Sequence, residues 1–296
     1  MSSAVSFDDH VAIVTGAGGG LGRGYAKLLA ARGARVVVND LRNATAVVEE
    51  ISSLGGKAVA DEHDISTEEG ARGVVRTAVE AFGALDAVVN NAGVFPACPF
   101  LEMTWEIFDL MQRVHTYGPY FTTRYAWPHL VESGHGRVVM VSAKATLWGE
   151  TRHLTHYGAA KGAVLGMTRQ LAMEGAEHGI CVNAVLPSAL TSVEHPRARE
   201  LARRVGADPA DREQVVERST ALAAAVVAWL CHPDCAANGE FIRAQVGEVR
   251  QVSFSMTHGI NDPGLTVEAV RDGFDAILDP TGAAVLAPLW RNQAPL

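Results

Sequence analysis

The sequence predicts a doubly wound α/β fold, a mostly parallel sheet of about seven strands with helices on both faces. Three observations predict it. Short, nearly continuous apolar runs rich in β-branched residues recur along the chain, longer stretches of helical period separate them, and a glycine-rich turn joins the first run to the first helix. Strands that are apolar on both faces belong in a covered parallel sheet, because each crossover helix buries one stripe against it.

The elements follow in order. VAIVTG (11–16) is the first strand, and a helix runs from about 20 to 31. RVVVND (35–40) is the second strand, followed by a helix near 43–54. KAVADEHD (57–64) and LDAVVN (85–90) are strands with a helix between them, and a long helix spans roughly 104–131. RVVMVS (137–142), ICVNAVLP (180–187) and GEFIRA (239–244) complete seven strands. Right-handed crossovers place the carboxyl ends of these strands along one edge, where ligands bind at the switch in strand order. The spacing predicts one domain over 1–247 with a charged helical insert at 194–218, expected to lid a pocket. A tail follows over 248–296, its stretch 266–278 reading as one amphipathic helix.

Composition narrows the partners. With 48% hydrophobic residues the chain can build a large core, and with a net charge of −8 and no basic run it lacks the means to neutralise a row of phosphates. A small-molecule substrate is therefore expected, and no nucleic acid. Cys98, Cys181, Cys231 and Cys235 are scattered and read as reduced structural thiols. The start MSSAVSFDDH lacks a basic region and an apolar core, and the longest apolar run, about Ala221 to Cys231, is short for a bilayer. A cytoplasmic protein with no membrane association is expected.

The turn T-G-A-G-G-G-L-G, Thr15 to Gly22, leaves the first strand and enters the first helix. Gly16 suits the tight turn, Gly20 the close approach of a pyrophosphate and Gly22, after Leu21, close helix packing, while the helix start offers free N–H groups to phosphate. Asp40 ends the second strand 18 residues past Gly22, where a carboxylate can accept both ribose hydroxyls. It would repel a 2′-phosphate, so NAD is expected as cofactor over NADP, with Arg42 and Arg23 nearby as the opposing signal. Asp64 and Ile65 close the third strand, where a carboxylate could take an adenine amino group and an aliphatic side chain could cover the ring. NNAG (90–93) closes the fourth: Asn91 can tie adjacent loops and Gly93 can admit a cofactor close to the backbone.

Over about residues 8–247 the chain resembles the short-chain dehydrogenase/reductase family, in TGAGGGLG, NNAG, YGAAK (157–161) and the stretch from Pro187 to Thr191. GLGRGYA, ARVVVNDL, RVH, TRYAWPHL and WLCHPDC resemble the branch that includes the hydroxyacyl-CoA dehydrogenase part of multifunctional enzyme type 2 and its bacterial relatives. The resemblance implies that Tyr157 is the general acid/base and that Lys161 binds the nicotinamide ribose and tunes the tyrosine. It implies that Thr191 bonds the nicotinamide amide, and that the chain forms a homodimer or homotetramer. The physics of YxxxK agrees: positions i and i+4 share a helix face, and one cation at about 4 Å could lower a phenol from about 10 to about 7.

Two positions depart from the family pattern. Aligning VSAKATLWG (141–149) on its strand and on Gly149 places Ser142 at the first serine of the usual pair and Ala143 at the serine that holds the substrate oxygen. The loop from Gly149 to Tyr157 is one residue longer than usual, so a slipped register could present Ser142. His115 stands where most members have asparagine, and could hold the same proton-relay water. The loop ETRHLTH (150–156) adds His153 and His156 as candidate substrate contacts; its E-x-x-H-x-x-H spacing fixes no common ligand geometry, and no metal is expected. The resulting expectation is an NAD-dependent alcohol/ketone oxidoreductase acting on an acyl-, polyketide- or steroid-like substrate. The alternative, raised by Ala143, keeps the fold but performs dehydration, isomerisation or cyclisation.

Overall fold

In a computed structural model, which describes residues 4–149, 152–188, 202–203, 205–208, 211–245 and 247–286, the expected alternation is present. The strands are β1 (Val11–Thr15), β2 (Arg35–Asn39), β3 (Lys57–Asp61), β4 (Ala87–Asn90), β5 (Arg137–Val141), β6 (Cys181–Ser188), β7 (Phe241–Gln245) and β8 (Glu248–Val252). They form one sheet in the order β3-β2-β1-β4-β5-β6-β7-β8. The pairs from β3 to β7 are parallel, with registers such as Val14↔Val38, Val14↔Val89 and Val139↔Asn183. Among the described residues the sheet therefore has eight strands, where about seven were expected. EVRQV at 248–252 is mostly polar and largely exposed, as an edge strand can be, and so lacks the continuous apolar run that marks the buried strands.

The helices are α1 (Gly20–Ala31), α2 (Ala44–Ser53), α3 (Glu68–Phe82), α4 (Trp105–Gln112), α5 (Gly118–Ser133), α6 (Ala145–Trp148), α7 (Thr155–Gly175) and α8 (Arg212–Cys231). Tyr25 and Leu29 of α1, Val47 and Ile51 of α2, and Val227 and Leu230 of α8 pack over Val14, Val36, Val38, Val89, Val139 and Val185 of the sheet. The alternate strand residues Ile13, Val37, Val88 and Val138 are equally buried and face the opposite layer. Polypeptide leaves β1 toward one side of the sheet and β4 toward the other, so a crevice opens at the carboxyl ends of these adjacent strands.

The long helix expected over 104–131 is present over 105–133 but changes its winding partway. A π-turn, Arg113–Tyr117, separates α4 from α5 and carries the buried His115. Such turns insert one extra residue per turn and cluster at functional sites. The window Gln214–Cys231 of α8 is long and apolar enough, by length and composition, to cross a membrane, which corrects the shorter run read from the sequence. Half of that window is buried, in the manner of a core helix.

The chain divides into two compact units, Met1–Arg250 and Gln251–Leu296. The central sheet thus takes in residues just beyond the boundary expected at 247. Within the second unit an antiparallel pair, β9 (Phe254–Met256) and β10 (Ala284–Leu286), accompanies two short helices, α9 (Val267–Asp272) and α10 (Phe274–Leu278). The single helix expected over 266–278 is broken at Gly273, where an added Cβ would approach Ile260 Cγ2 to 2.9 Å. The insert at 194–218 lies largely outside the described residues.

Candidate active site

The turn between β1 and α1 is set by sterics. Gly16 has φ +63°, and a Cβ there would stand 2.6 Å from Ala92 Cα; a Cβ on Gly22 would stand 2.1 Å from Gly16 O. Gly18, which sequence reasoning passed over, is equally constrained, since its Cβ would lie 2.0 Å from Arg42 O. The open face of the turn is at Gly19, where an added Cβ would meet nothing within 4 Å, while Gly20 is needed for its φ of +52°. Gly19 caps α1 without a side-chain hydrogen bond, and no acidic residue occupies the first turn. The first amides of α1, including those of Leu21 and Gly22, are thus free to meet an anion, and the helix dipole favours one.

Thr15 and Asn91 knit this turn to β4. Thr15 Oγ1 accepts from Asn91 N and Ala92 N, each at 3.0 Å, and Asn91 Nδ2 donates to Thr15 O at 2.9 Å and to Gly16 O at 3.0 Å. Asp40, just past β2, accepts from Gly18 N at 2.9 Å and from Arg42 N at 3.0 Å. Asp64 accepts from Ser66 N at 2.9 Å, beside the buried Ile65. Gly16, Asp40, Asp64, Ile65 and Gly93 together line one cavity of about 450 Å³, with Arg42 and His63 also in its wall. Arg23 is not part of that wall: it is bonded through two nitrogens to Glu50, at 3.0 and 2.5 Å. His63 was not anticipated; its Nδ1 lies 2.8 Å from the buried Asp61 carboxylate, which also accepts from Asn39 Nδ2 at 2.7 Å and Thr77 Oγ1 at 2.6 Å. This suits an adenosine-sized ligand, with amides for phosphates, Asp40 for hydroxyls and Ile65 for a ring.

Tyr157 and Lys161 stand one turn apart on α7, with Lys161 Nζ 5.9 Å from the centre of the tyrosine ring. The ammonium donates to Val141 O at 2.6 Å, which anchors α7 to the end of β5. Burial dominates both groups. It pushes Lys161 down to about 7 and Tyr157 up to about 12. The value near 7 expected for the phenol thus falls on the amine in the ligand-free chain, because the lysine lies wholly in the interior and its loss of hydration outweighs its effect on its neighbour.

Ser142 does not replace the missing serine. It is buried, its hydroxyl donates to Lys161 O at 3.0 Å, and it faces away from the partly exposed Ala143. His115 is also fully enclosed. Its ring stands edge-on to Tyr157 at 5.3 Å, Nε2 lies 2.8 Å from Val94 O and 3.1 Å from Val94 N, and Nδ1 is buried without a partner. Burial, reinforced by the charge of Lys161, drives its pKa down to about 3, so it stays neutral at any working pH.

Of the two loop histidines expected to contact substrate, His156 does not fit that role, whereas His153 lies at the surface. His156 is completely buried, with Nε2 2.8 Å from Pro96 O. His153 is exposed with φ +66°, and its carbonyl accepts from Cys98 N at 3.0 Å. Phe95, absent from the sequence reading, is 60% exposed and meets Tyr157 edge-on at 4.9 Å. Pro187 closes β6, while Thr191 and Glu150 lie outside the described residues.

Comparison with known proteins bears on this arrangement. Residues 10–201 match the short chain dehydrogenase family model. A protein named as a short-chain type dehydrogenase/reductase in Mycobacterium tuberculosis is 39% identical over 289 residues, covering 94% of this chain and 96% of its own. The full-length peroxisomal multifunctional enzyme type 2 of Drosophila melanogaster superposes with a TM-score of 0.79 at 30% identity, covering 97% of this chain and 48% of that one. The chain therefore spans about half the length of that multifunctional enzyme. The structure of 7α-hydroxysteroid dehydrogenase with NADH and 7-oxo glycochenodeoxycholic acid superposes with a TM-score of 0.69 at 26% identity, covering 82% of this chain and 95% of that one. With the glycine turn, the strand order and the Tyr157–Lys161 helix all in their places, the chain belongs to the short-chain dehydrogenase/reductase family and is an oxidoreductase.

Proposed function

We propose that the protein is an NAD-dependent oxidoreductase that interconverts a secondary alcohol and a ketone on an acyl-, polyketide- or steroid-like substrate, with Tyr157 moving the hydroxyl proton. The observation that carries this reading is the pairing of Tyr157 with Lys161 on one face of α7, anchored by Lys161 to Val141 at the end of β5. The bound dinucleotide would supply the hydride acceptor or donor at its nicotinamide. The uncapped start of α1, Asp40, and the Asp64–Ile65 pair are the residues that would hold it. NAD is favoured because the Asp40 carboxylate lines the cavity and Arg23 is engaged by Glu50. The substrate class is supported by the steroid ligand of one structural neighbour and by the kinship with multifunctional enzymes.

In the oxidising direction the O–H proton passes to the Tyr157 oxygen, so the pair must hold a vacancy for one proton. Burial keeps the Tyr157 phenol protonated, so the phenol takes the substrate proton only by passing its own on to the Lys161 amine, which is free of its proton above about pH 7. Below that pH both groups are protonated and cannot accept; above it the vacancy exists. We expect kcat/KM for alcohol oxidation to rise about tenfold per pH unit up to about 7 and then level, and ketone reduction to show the opposite slope. A flat profile from pH 6 to 9 with NAD saturating contradicts this assignment.

A second reading, non-redox chemistry with the same pocket, is favoured by one observation: Ala143 offers no hydroxyl and Ser142 is turned inward. Absorbance of the reduced nicotinamide, followed beside product formation, separates the two. Stoichiometric change supports the redox reading, and product without change supports the other. Restoring the hydroxyl with Ala143→Ser should raise redox turnover by about a hundredfold if nothing substitutes for it; an unchanged rate means another donor fills the role. The reading also includes a homodimer or homotetramer, checked by light scattering, and a cytoplasmic site of action, checked by cell fractionation.

A further inference from the structure

Residues 91–99 adopt no helix or strand, so their backbone groups need partners from elsewhere. The first two amides go to Thr15 Oγ1. Beyond them the partners are histidines. Val94 meets His115 Nε2 through both its N–H and its carbonyl, at 3.1 and 2.8 Å. Either neutral tautomer makes one of those bonds. Pro96 O accepts from His156 Nε2 at 2.8 Å, and Cys98 N donates to His153 O at 3.0 Å. His153 adopts a left-handed backbone to present that carbonyl, a conformation a non-glycine residue keeps only when its surroundings impose it. Gly93 lets the chain pass the imidazole, since a Cβ there would lie 2.6 Å from His115 Cε1. Two prolines, Pro96 and Pro99, narrow what remains of the segment's freedom.

The held segment carries Phe95, whose ring stands at 82° to the Tyr157 ring with 60% of its surface exposed. Tyr157 is thus bracketed edge-on by Phe95 on one side and His115 on another. We propose that His115 and His156 are positioning residues that clamp the 94–98 segment from two sides, so that Phe95 forms a fixed apolar wall beside the Tyr157 phenol and selects substrates with an apolar substituent there. The purpose of the wall rests on the oxidoreductase reading, whereas the clamp itself does not. One imidazole comes from the π-turn and the other from the first turn of α7, so the segment is tied to two elements that also hold Tyr157 and Lys161 in place.

Cys98 is a built-in reporter, because it is 8% exposed and lies at the end of the clamped segment. On the full chain, N-ethylmaleimide labelling of Cys98 is read by peptide mass mapping, with the buried Cys231 as internal control. Losing one buried hydrogen bond should favour opening by about tenfold, so His156→Leu should speed Cys98 labelling by about that factor and leave Cys231 unchanged. His156→Gln keeps a donor for Pro96 O and should restore the wild-type rate within about twofold. Should His156→Leu fail to fold, His115→Leu gives the same readout through Val94. With NAD and 1-phenylethanol as probe, His156→Leu should raise KM more than it lowers kcat, and Gln should rescue it. Unchanged Cys98 labelling in the leucine variants, or no rescue by glutamine, overturns the clamp. Absence of nicotinamide-linked turnover in the unmodified chain would count against the oxidoreductase reading instead, while the labelling rates still decide the clamp.

Discussion

Tyr157→Phe is expected to lower kcat by about 10³-fold, within the range for loss of a general acid/base, while NADH binding stays within about twofold of the unmodified chain. The substitution removes one oxygen and keeps the ring, so the edge-on contacts with Phe95 at 4.9 Å and His115 at 5.3 Å persist. Folding should not suffer, since a phenyl ring fits the same space. Steady-state turnover together with calorimetric NADH titration checks both halves. A variant that keeps more than about a tenth of its kcat would remove Tyr157 from the proton path.

The second large effect lies at the opposite edge of the sheet. Arg137 opens β5, is 5% exposed, and its guanidinium donates to five backbone carbonyls. They are His135 at 3.0 Å, Gly136 at 2.9 Å, Gly179 at 3.2 Å, His232 at 3.1 Å and Pro233. The chain approaches β5, β6 and β7 through these residues; Gly136 O and His232 O also accept from Cys181 N and Cys235 N, each at 3.0 Å, whereas His135 O, Gly179 O and Pro233 O take their hydrogen bonds from this side chain. Arg137→Met fills similar volume but strands those acceptors, and we expect about 3–5 kcal/mol of lost stability by urea unfolding. The exposed pair formed by Arg23 and Glu50 is a useful contrast: Arg23→Ala should cost less than about 1 kcal/mol, because solvent screens that pair. Equal losses for the two variants would contradict the distinction. NADH affinity of the folded Arg137→Met chain should be unchanged, since the cofactor cavity lies at the carboxyl ends of the strands.

Much of the architecture could be read from residue patterns alone. VAIVT and RVVVN are apolar on both faces and are buried on both faces, and TGAGGGLG and YGAAK sit at the junctions their spacing implies. Local chemistry suffices there, because a glycine that needs positive φ or a β-branched run in a covered sheet responds to its immediate neighbours. What escaped reading depends on distant parts of the chain. Nothing in ETRHLTH has a period that would tell a buried histidine from an exposed one; His156 is enclosed because Pro96, 60 residues earlier, supplies its acceptor. The glycines at 18 and 73 look incidental until Arg42 and His63 are seen to fill the space of their missing side chains. The acidity of Lys161 follows from complete burial, which a YxxxK spacing cannot convey. Ala143 was legible as a departure, but the inward turn of Ser142 toward Lys161 O required the packed structure.

The account depends most on a dinucleotide occupying the crevice above β1 and β4, with its ribose hydroxyls at Asp40. Calorimetric titration of the full chain with NADH and then NADPH tests this without knowledge of the substrate. One site per chain is predicted, with NADH preferred by at least about tenfold because a 2′-phosphate would face the Asp40 carboxylate. Asp40→Asn should narrow that preference. Failure to bind either dinucleotide would contradict the account, and a preference for NADPH would overturn the role given to Asp40.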